Sequence, residues 1–203
     1  MNKEMLNYRF PAGKAGKKLV REMNRDHADL SDWVFSLMKT EPQMTVLDLG
    51  CGGGENLRRL ITLCPQGFVY GMDHSPVAVK ESRKLNRKAI EDLCCRVLCG
   101  KVDDLPFSEG MFDLITAFET IYFWPDLEKT LTGIARCLKP EGCFVIAQTT
   151  DGTKETDREH MEMIPGMKVY TMEELNPVLK QAGFRHVEFY TSEEKDLCLF
   201  CTK

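Results

Sequence analysis

The chain has 203 residues, of which 43% are hydrophobic and 29% charged, with a formal net charge of −4. That is the make-up of one globular domain with a sizeable core, and the acidic balance disfavours a bulk electrostatic grip on nucleic acid. No apolar run reaches the roughly 18 residues of a membrane span and the N-terminus lacks a signal-type apolar stretch, so a cytoplasmic protein is expected, monomeric or homodimeric, with no membrane or nucleic-acid partner.

Residues 1–16 are polar with scattered aromatics and read as a flexible arm or a cap over a ligand site. Between Lys17 and Lys39, Leu19, Met23, Leu30, Trp33, Val34 and Leu37 recur at helical spacing, predicting one or two helices, the second capped by Asp29 or Ser31. Residues 1–40 are expected to form an N-terminal helical cap, ahead of the main domain over 41–203. Pro42 breaks the chain before Thr45–Leu57, TVLDLGCGGGENL. Apolar residues on both sides of Asp48 predict a strand buried in a parallel sheet, and the glycine cluster and charged stretch after it predict a tight turn and a helix.

Phe68–Met72 reads as the second strand, ended by Asp73. Ser75-Pro76 starts a helix reaching Asn86–Ile90, with proline in its first turn. Its outer face is basic (Lys80, Arg83, Lys84, Arg87, Lys88); a solvated face accounts for that stripe, and a nucleic-acid contact is the sharper alternative. Cys95–Leu98, Phe112–Phe118 and Cys143–Gln148 are the next strands, the last entered through Pro140-Glu141-Gly142 after a helix over Leu127–Cys137. Residues 149–170 are polar and irregular, with a short helix near Arg158–Met163. Thr171 and Glu174 have capping-box spacing, opening a helix that ends at Gly183. Val187–Tyr190 and Leu197–Cys201 close the chain as a hairpin-like pair.

Nine cysteines, an odd number with several in predicted strands, do not make a disulfide framework. Cys198 and Cys201 are three apart in one strand and point to opposite faces. Buried, reduced thiols are expected. His27 and His160 lack a compact ligand motif, so no metal is expected.

The chemistry concentrates at two strand ends. Gly50, Gly52 and Gly54 can take positive φ and leave room for a ligand against the backbone, and the following helix aims free N–H groups at it. Asp73 ends the second strand, where an acidic residue can take both hydroxyls of a ribose. A nucleoside-bearing cofactor is implied. The dinucleotide pattern G-x-G-x-x-G fails at its third glycine, where Glu55 would repel a pyrophosphate, and no phosphate-binding G-x-x-x-x-G-K-[ST] loop occurs.

The run Asp48-Leu49-Gly50-Cys51-Gly52-Gly53-Gly54 resembles the D-x-G-x-G-x-G motif of class I S-adenosylmethionine-dependent methyltransferases. Asp73 resembles that family's ribose-binding acid, Gly100–Phe107 its adenine loop, and Leu138–Phe144 its L-K-P-G-G turn. The resemblance implies a three-layer α/β/α sandwich whose seven-stranded, mostly parallel sheet has the order 3-2-1-4-5-7-6, with the seventh strand antiparallel. It also implies S-adenosylmethionine as cofactor and S-adenosylhomocysteine as product, held by Asp48, Gly50, Cys51, Gly52, Gly54, Asp73, His74, Val102, Asp103 and Phe118. The position after Gly100, usually acidic, is Lys101, which offers only donors; Asp103 or a backbone carbonyl would have to replace the missing acceptor.

Methyl transfer from a sulfonium needs mainly proximity and orientation, and a general base only for a protonated acceptor of high pKa. The catalytic candidates are Glu119 and Tyr122, in the aromatic run AFETIYFW after the fourth strand, with His27 and His160 as candidate bases. The leading expectation is an enzyme that methylates a small molecule. A protein or RNA methyltransferase, a non-catalytic cofactor-binding subunit and an NAD-dependent oxidoreductase are the alternatives.

Overall fold

The computed structural model describes residues 7–203; the first six residues of the expected arm lie outside the described residues. Helices α1 (Gly13–Asp26) and α2 (Ala28–Leu37) come first. Then follow β1 (Thr45–Leu49), α3 (Glu55–Leu63), β2 (Phe68–Asp73), α4 (Pro76–Leu85), α5 (Arg87–Glu91) and β3 (Cys95–Cys99). The second half holds β4 (Phe112–Phe118), a 3-10 turn over Ile121–Phe123, α6 (Leu127–Cys137) and β5 (Leu138–Gln148). It closes with α7 (Glu155–Met163), α8 (Met172–Gln181), β6 (His186–Thr191) and β7 (Leu197–Thr202).

The seven strands form one sheet in the order β3-β2-β1-β4-β5-β7-β6. Pairings are parallel up to β5, and β7 runs antiparallel to both β5 and β6. Strand alternation sorts the core onto two faces. Leu47, Ile115, Phe144 and Ile146 pack with Leu131 and Ile134 of α6 and Leu175 and Leu179 of α8. Val46, Leu114, Val145 and Ala147 pack with Leu30 and Val34 of α2 and Leu57 and Leu60 of α3. Cys198 lies in the second of these clusters and Cys201 in the first, so the C-x-x-C pair straddles the sheet.

Several elements differ from the sequence reading, each for a local reason. The helix after Pro76 breaks at Asn86, whose buried side chain donates to the carbonyls of Gly54 and Ser82, both at 3.0 Å. The break thus ties α4 to the glycine loop. α2 has neither Asp29 nor Ser31 as its cap; His27 sits at that position without a capping side-chain bond. β5 begins at Leu138, ahead of the Pro140–Gly142 turn, and absorbs it as an irregularity with Glu141 at φ 61°. The Thr171–Glu174 capping box forms as expected.

α1 docks on α4 through one acid: the Glu81 carboxylate accepts from Lys17 at 2.9 Å and from Arg21 at 3.1 Å. The basic stripe on α4 and α5 is partly spent internally. Arg83 donates twice to the Val97 carbonyl, Arg87 pairs with Glu91 and Lys88 with Asp92. No helix among the described residues is long and apolar enough to cross a membrane.

Candidate active site

Where β1, β2 and β4 end, their loops and the N-terminal segment enclose a chamber of about 550 Å3. The glycine loop forms its floor. Gly50, Gly52 and Gly54 all have positive φ (71°, 51° and 84°), yet their surroundings differ. A Cβ on Gly50 would run into the Thr120 side chain, and one on Gly54 into Ser82 and Asn86. A Cβ on Gly52 would meet nothing nearer than the Gly50 carbonyl at 3.9 Å. Gly52 is therefore the position where the backbone lies open to a ligand. Gly54 is not part of the chamber lining; its left-handed conformation starts α3.

Asp73 stands beside Gly52. One carboxylate oxygen accepts from the Gly52 N–H at 3.0 Å and the other from the Ser75 N–H at 2.8 Å. Each oxygen keeps a lone pair for a further donor. Asp48 lies deeper, 2% exposed, and accepts from the Thr116 hydroxyl at 2.8 Å. Burial, opposed by that bond and reinforced by Asp73, raises its pKa to about 7. Burial likewise raises the Asp73 pKa, opposed by its two backbone bonds. The Cys51 thiol, buried and near Ser82, is pushed far up by burial, so it lines the chamber as an inert group.

His74, Lys101, Val102, Asp103 and Phe118 all line the same chamber. The N-terminal segment covers it. Phe10 lies against His74 with ring centroids 5.1 Å apart, and the Ser75 hydroxyl donates to the Pro11 carbonyl at 2.6 Å. Ser75 also caps α4, so one hydroxyl fixes both a helix start and the overlying segment. Asn24 of α1 sits directly over Gly53. The sequence reading named none of Phe10, Pro11, Asn24 and Thr116. Their partners are tens of residues away, and only the serine before Pro76, a ready N-cap, hinted at such an anchor.

A second chamber of about 740 Å3 adjoins the first. Tyr8, Met23, His27, Glu119 and Phe123 line both. Tyr122 and His160 line the second alone, so all four catalytic candidates meet there. Glu119 is the link. Its φ of 53° is unusual for a residue with a Cβ, and its N–H donates to the Ala147 carbonyl of β5 at 2.8 Å. Its carboxylate accepts from the Tyr122 hydroxyl at 3.0 Å, the Thr149 N–H at 2.5 Å and the Thr149 hydroxyl at 3.0 Å. The His27 Nε2 stands 3.6 Å from the oxygen that accepts from the Thr149 hydroxyl. Burial first, then Glu119, pushes the Tyr122 pKa far up, so its hydroxyl stays protonated and donates. His160 is exposed and lies at the rim.

Residues 47–146 match the model of a methyltransferase domain. The chain is 30% identical over 202 residues to 24-methylenesterol C-methyltransferase 2 of Arabidopsis thaliana, covering 94% of this chain and 53% of that protein. This chain belongs to the class I S-adenosylmethionine-dependent methyltransferases. It is also 26% identical over 159 residues to the malonyl-[acyl-carrier protein] O-methyltransferase of Geobacter sulfurreducens, across 73% of this chain and 58% of the relative. A solved S-adenosylmethionine-dependent methyltransferase from Aquifex aeolicus shares the fold, with a TM-score of 0.77, 20% identity and coverage of 92% and 97% of the two chains. The chain spans about half the length of the plant sterol methyltransferases it matches.

The methyltransferase cofactor fits the first chamber on two structural counts. Gly52 leaves a cradle that any side chain would fill, and Asp73, with acceptor capacity left on both oxygens, lines the same chamber. The carboxylates of Glu55, Asp73, Asp103 and Glu119 on its lining, against Arg9 and Lys101, suit a cationic ligand and not a pyrophosphate.

Proposed function

We propose that this protein transfers a methyl group from S-adenosylmethionine to a small-molecule nucleophile seated in the second chamber. The observation that carries this reading is the shared wall: the open Gly52–Asp73 cradle and the neighbouring chamber meet at His27, Glu119 and Phe123. When bound, the cofactor supplies an electrophilic methyl on a sulfonium. Asp73 would hold the ribose, Gly50–Gly53 and Asp48 the amino-acid end, and His74, Val102 and Asp103 the adenine side. Glu119 fixes Tyr122, Thr149 and His27 in one arrangement at the junction, so the wall that orients the acceptor is assembled before the acceptor arrives. The described residues from 7 to about 40 act as a cap, and residues 41–203 as the transferase domain.

The relatives act on a sterol carbon and on a malonyl oxygen, so they do not fix the acceptor atom. A macromolecular acceptor finds little support, because three of the five basic residues on α4 and α5 are already paired or bonded. All nine cysteines are free thiols and most are buried, which supports work in a reducing cytoplasm. The test is incubation with methyl-labelled S-adenosylmethionine and fractionated small metabolites. Acceptor-dependent release of S-adenosylhomocysteine is expected; release that no fraction stimulates would reject the reading.

A further inference from the structure

The second chamber has a chemical character of its own. Four carboxylates line it (Glu22, Asp26, Glu119, Asp157) against two cations, Arg25 and Lys154. Lys154 is already engaged, donating to the Thr149 carbonyl and standing 3.6 Å from Asp196. Asp157 is buried and accepts from the Thr150 hydroxyl at 2.7 Å and the Lys154 N–H at 3.0 Å. Glu119 already accepts three hydrogen bonds. Of the remaining charges, Glu22 and Asp26 on α1 outnumber Arg25 at the rim, and the Glu22 pairing with Lys18 is a long surface contact of 3.4 Å.

Beside these charges, three threonines and two histidines, the lining is apolar and aromatic. Met23, Met163, Ile164 and Met167 offer an adaptable thioether and alkyl surface, and Tyr8, Tyr122 and Phe123 add aromatic rings. Among the described residues of this lining, an anionic acceptor would enter against net negative charge, with Arg25 at the rim to meet it. A cation with an apolar body finds carboxylates at the mouth and aromatic rings within.

We propose that the acceptor site takes a basic amine carried on an apolar skeleton; this rests on the methyltransferase reading above and names the substrate class of that site. The amine enters as the ammonium, drawn by Glu22 and Asp26, with its apolar part against the methionines. Before its nitrogen can act as a nucleophile, one N–H bond must break, its electron pair staying on nitrogen while the proton passes to a base. The His27 imidazole, on the wall common to both chambers, receives it and releases it to water.

The experiment is calorimetry on the full chain, first with S-adenosylhomocysteine, then on the loaded protein with three probes sharing one ring system: tryptamine, tryptophol and indole-3-acetate. Tryptamine is expected to bind about tenfold or more tighter than tryptophol, with indole-3-acetate weakest. The double variant Glu22→Gln, Asp26→Asn should remove most of the tryptamine advantage while leaving tryptophol affinity unchanged. Equal binding of the three, tighter binding of the acid, or no tryptamine binding to loaded protein would overturn the amine assignment. Failure of S-adenosylhomocysteine itself to bind would instead remove the methyltransferase reading beneath it.

Discussion

The first chamber has its floor in the ends of β1, β2 and β4 and the short loops that leave them, with the N-terminal segment and α1 as its cover, whereas the second is made by α1, the turn after β4 and the segment over residues 149–167. In the first, the main parts sit on neighbouring parallel strands, and their places follow from sheet register: Asp48 pairs with Gly71 on one side and Thr116 on the other. In the second, Glu119 joins parts distant in the chain, meeting Tyr122 and Thr149 on one side and His27 on the other. The floor of the first is thus fixed by the sheet. The second is an assembly whose lining depends on how an N-terminal helix and a long loop come to rest.

Substitutions should separate the two. The largest effect belongs to Asp48, buried with its pKa raised from 3.8 to about 7. A carboxyl whose pKa rises on folding favours the folded state when protonated. Its contribution is complete below about pH 4 and is lost as pH rises through about 7, an upper bound of about 4 kcal/mol. The wild-type melting temperature should therefore fall between pH 5.5 and 8.5, and Asp48→Asn should flatten that fall by thermal melts at both pH values. Parallel pH curves for the two proteins would mean that Asp48 carries no such burden.

Next comes Asp73→Ala, which removes the acceptor offered to a ribose and should weaken S-adenosylhomocysteine binding by about 1–3 kcal/mol in calorimetry. An unchanged affinity would take Asp73 out of the site. Gly52→Ala puts a methyl group into the open cradle at a φ of 51°. It should cost about 1–2 kcal/mol of folding stability from the left-handed backbone and reduce cofactor affinity as well. Loss of stability with full affinity retained would show that the cradle is not where the ligand lies.

The smallest effect marks the other side of the comparison. Tyr122→Phe loses one bond to Glu119, worth about 1 kcal/mol of stability. It should leave S-adenosylhomocysteine affinity unchanged while slowing methyl transfer. A fall in cofactor affinity matching that of Asp73→Ala would erase the distinction between the chambers.

The same division explains what was readable before the structure. Gly52 and Asp73 were legible because strand, turn and helix follow one another within a few residues, and the acid that ends β2 lies one strand away; the order of the strands came only from the family resemblance, since periodicity does not set it. The sequence also placed Glu119 and Tyr122 at the sheet edge, since they follow β4 directly. It did not reveal that Glu119 would take a positive φ and turn its carboxylate onto Thr149, because that bond spans 30 residues. Nor did it separate Gly52 from Gly50 and Gly54, which look alike in sequence and differ only in what a side chain would strike. The break at Asn86 was hidden for the same reason: its partner, the Gly54 carbonyl, lies 32 residues earlier.

The claim beneath all of this is that the Gly52–Asp73 chamber receives a nucleoside sulfonium. Titration of the full chain with S-adenosylhomocysteine, followed by calorimetry, tests it without any knowledge of the acceptor. Saturable one-to-one binding, weakened in Gly52→Ala, is the expected result; no heat of binding at millimolar ligand, in a protein whose melt shows it folded, would contradict it.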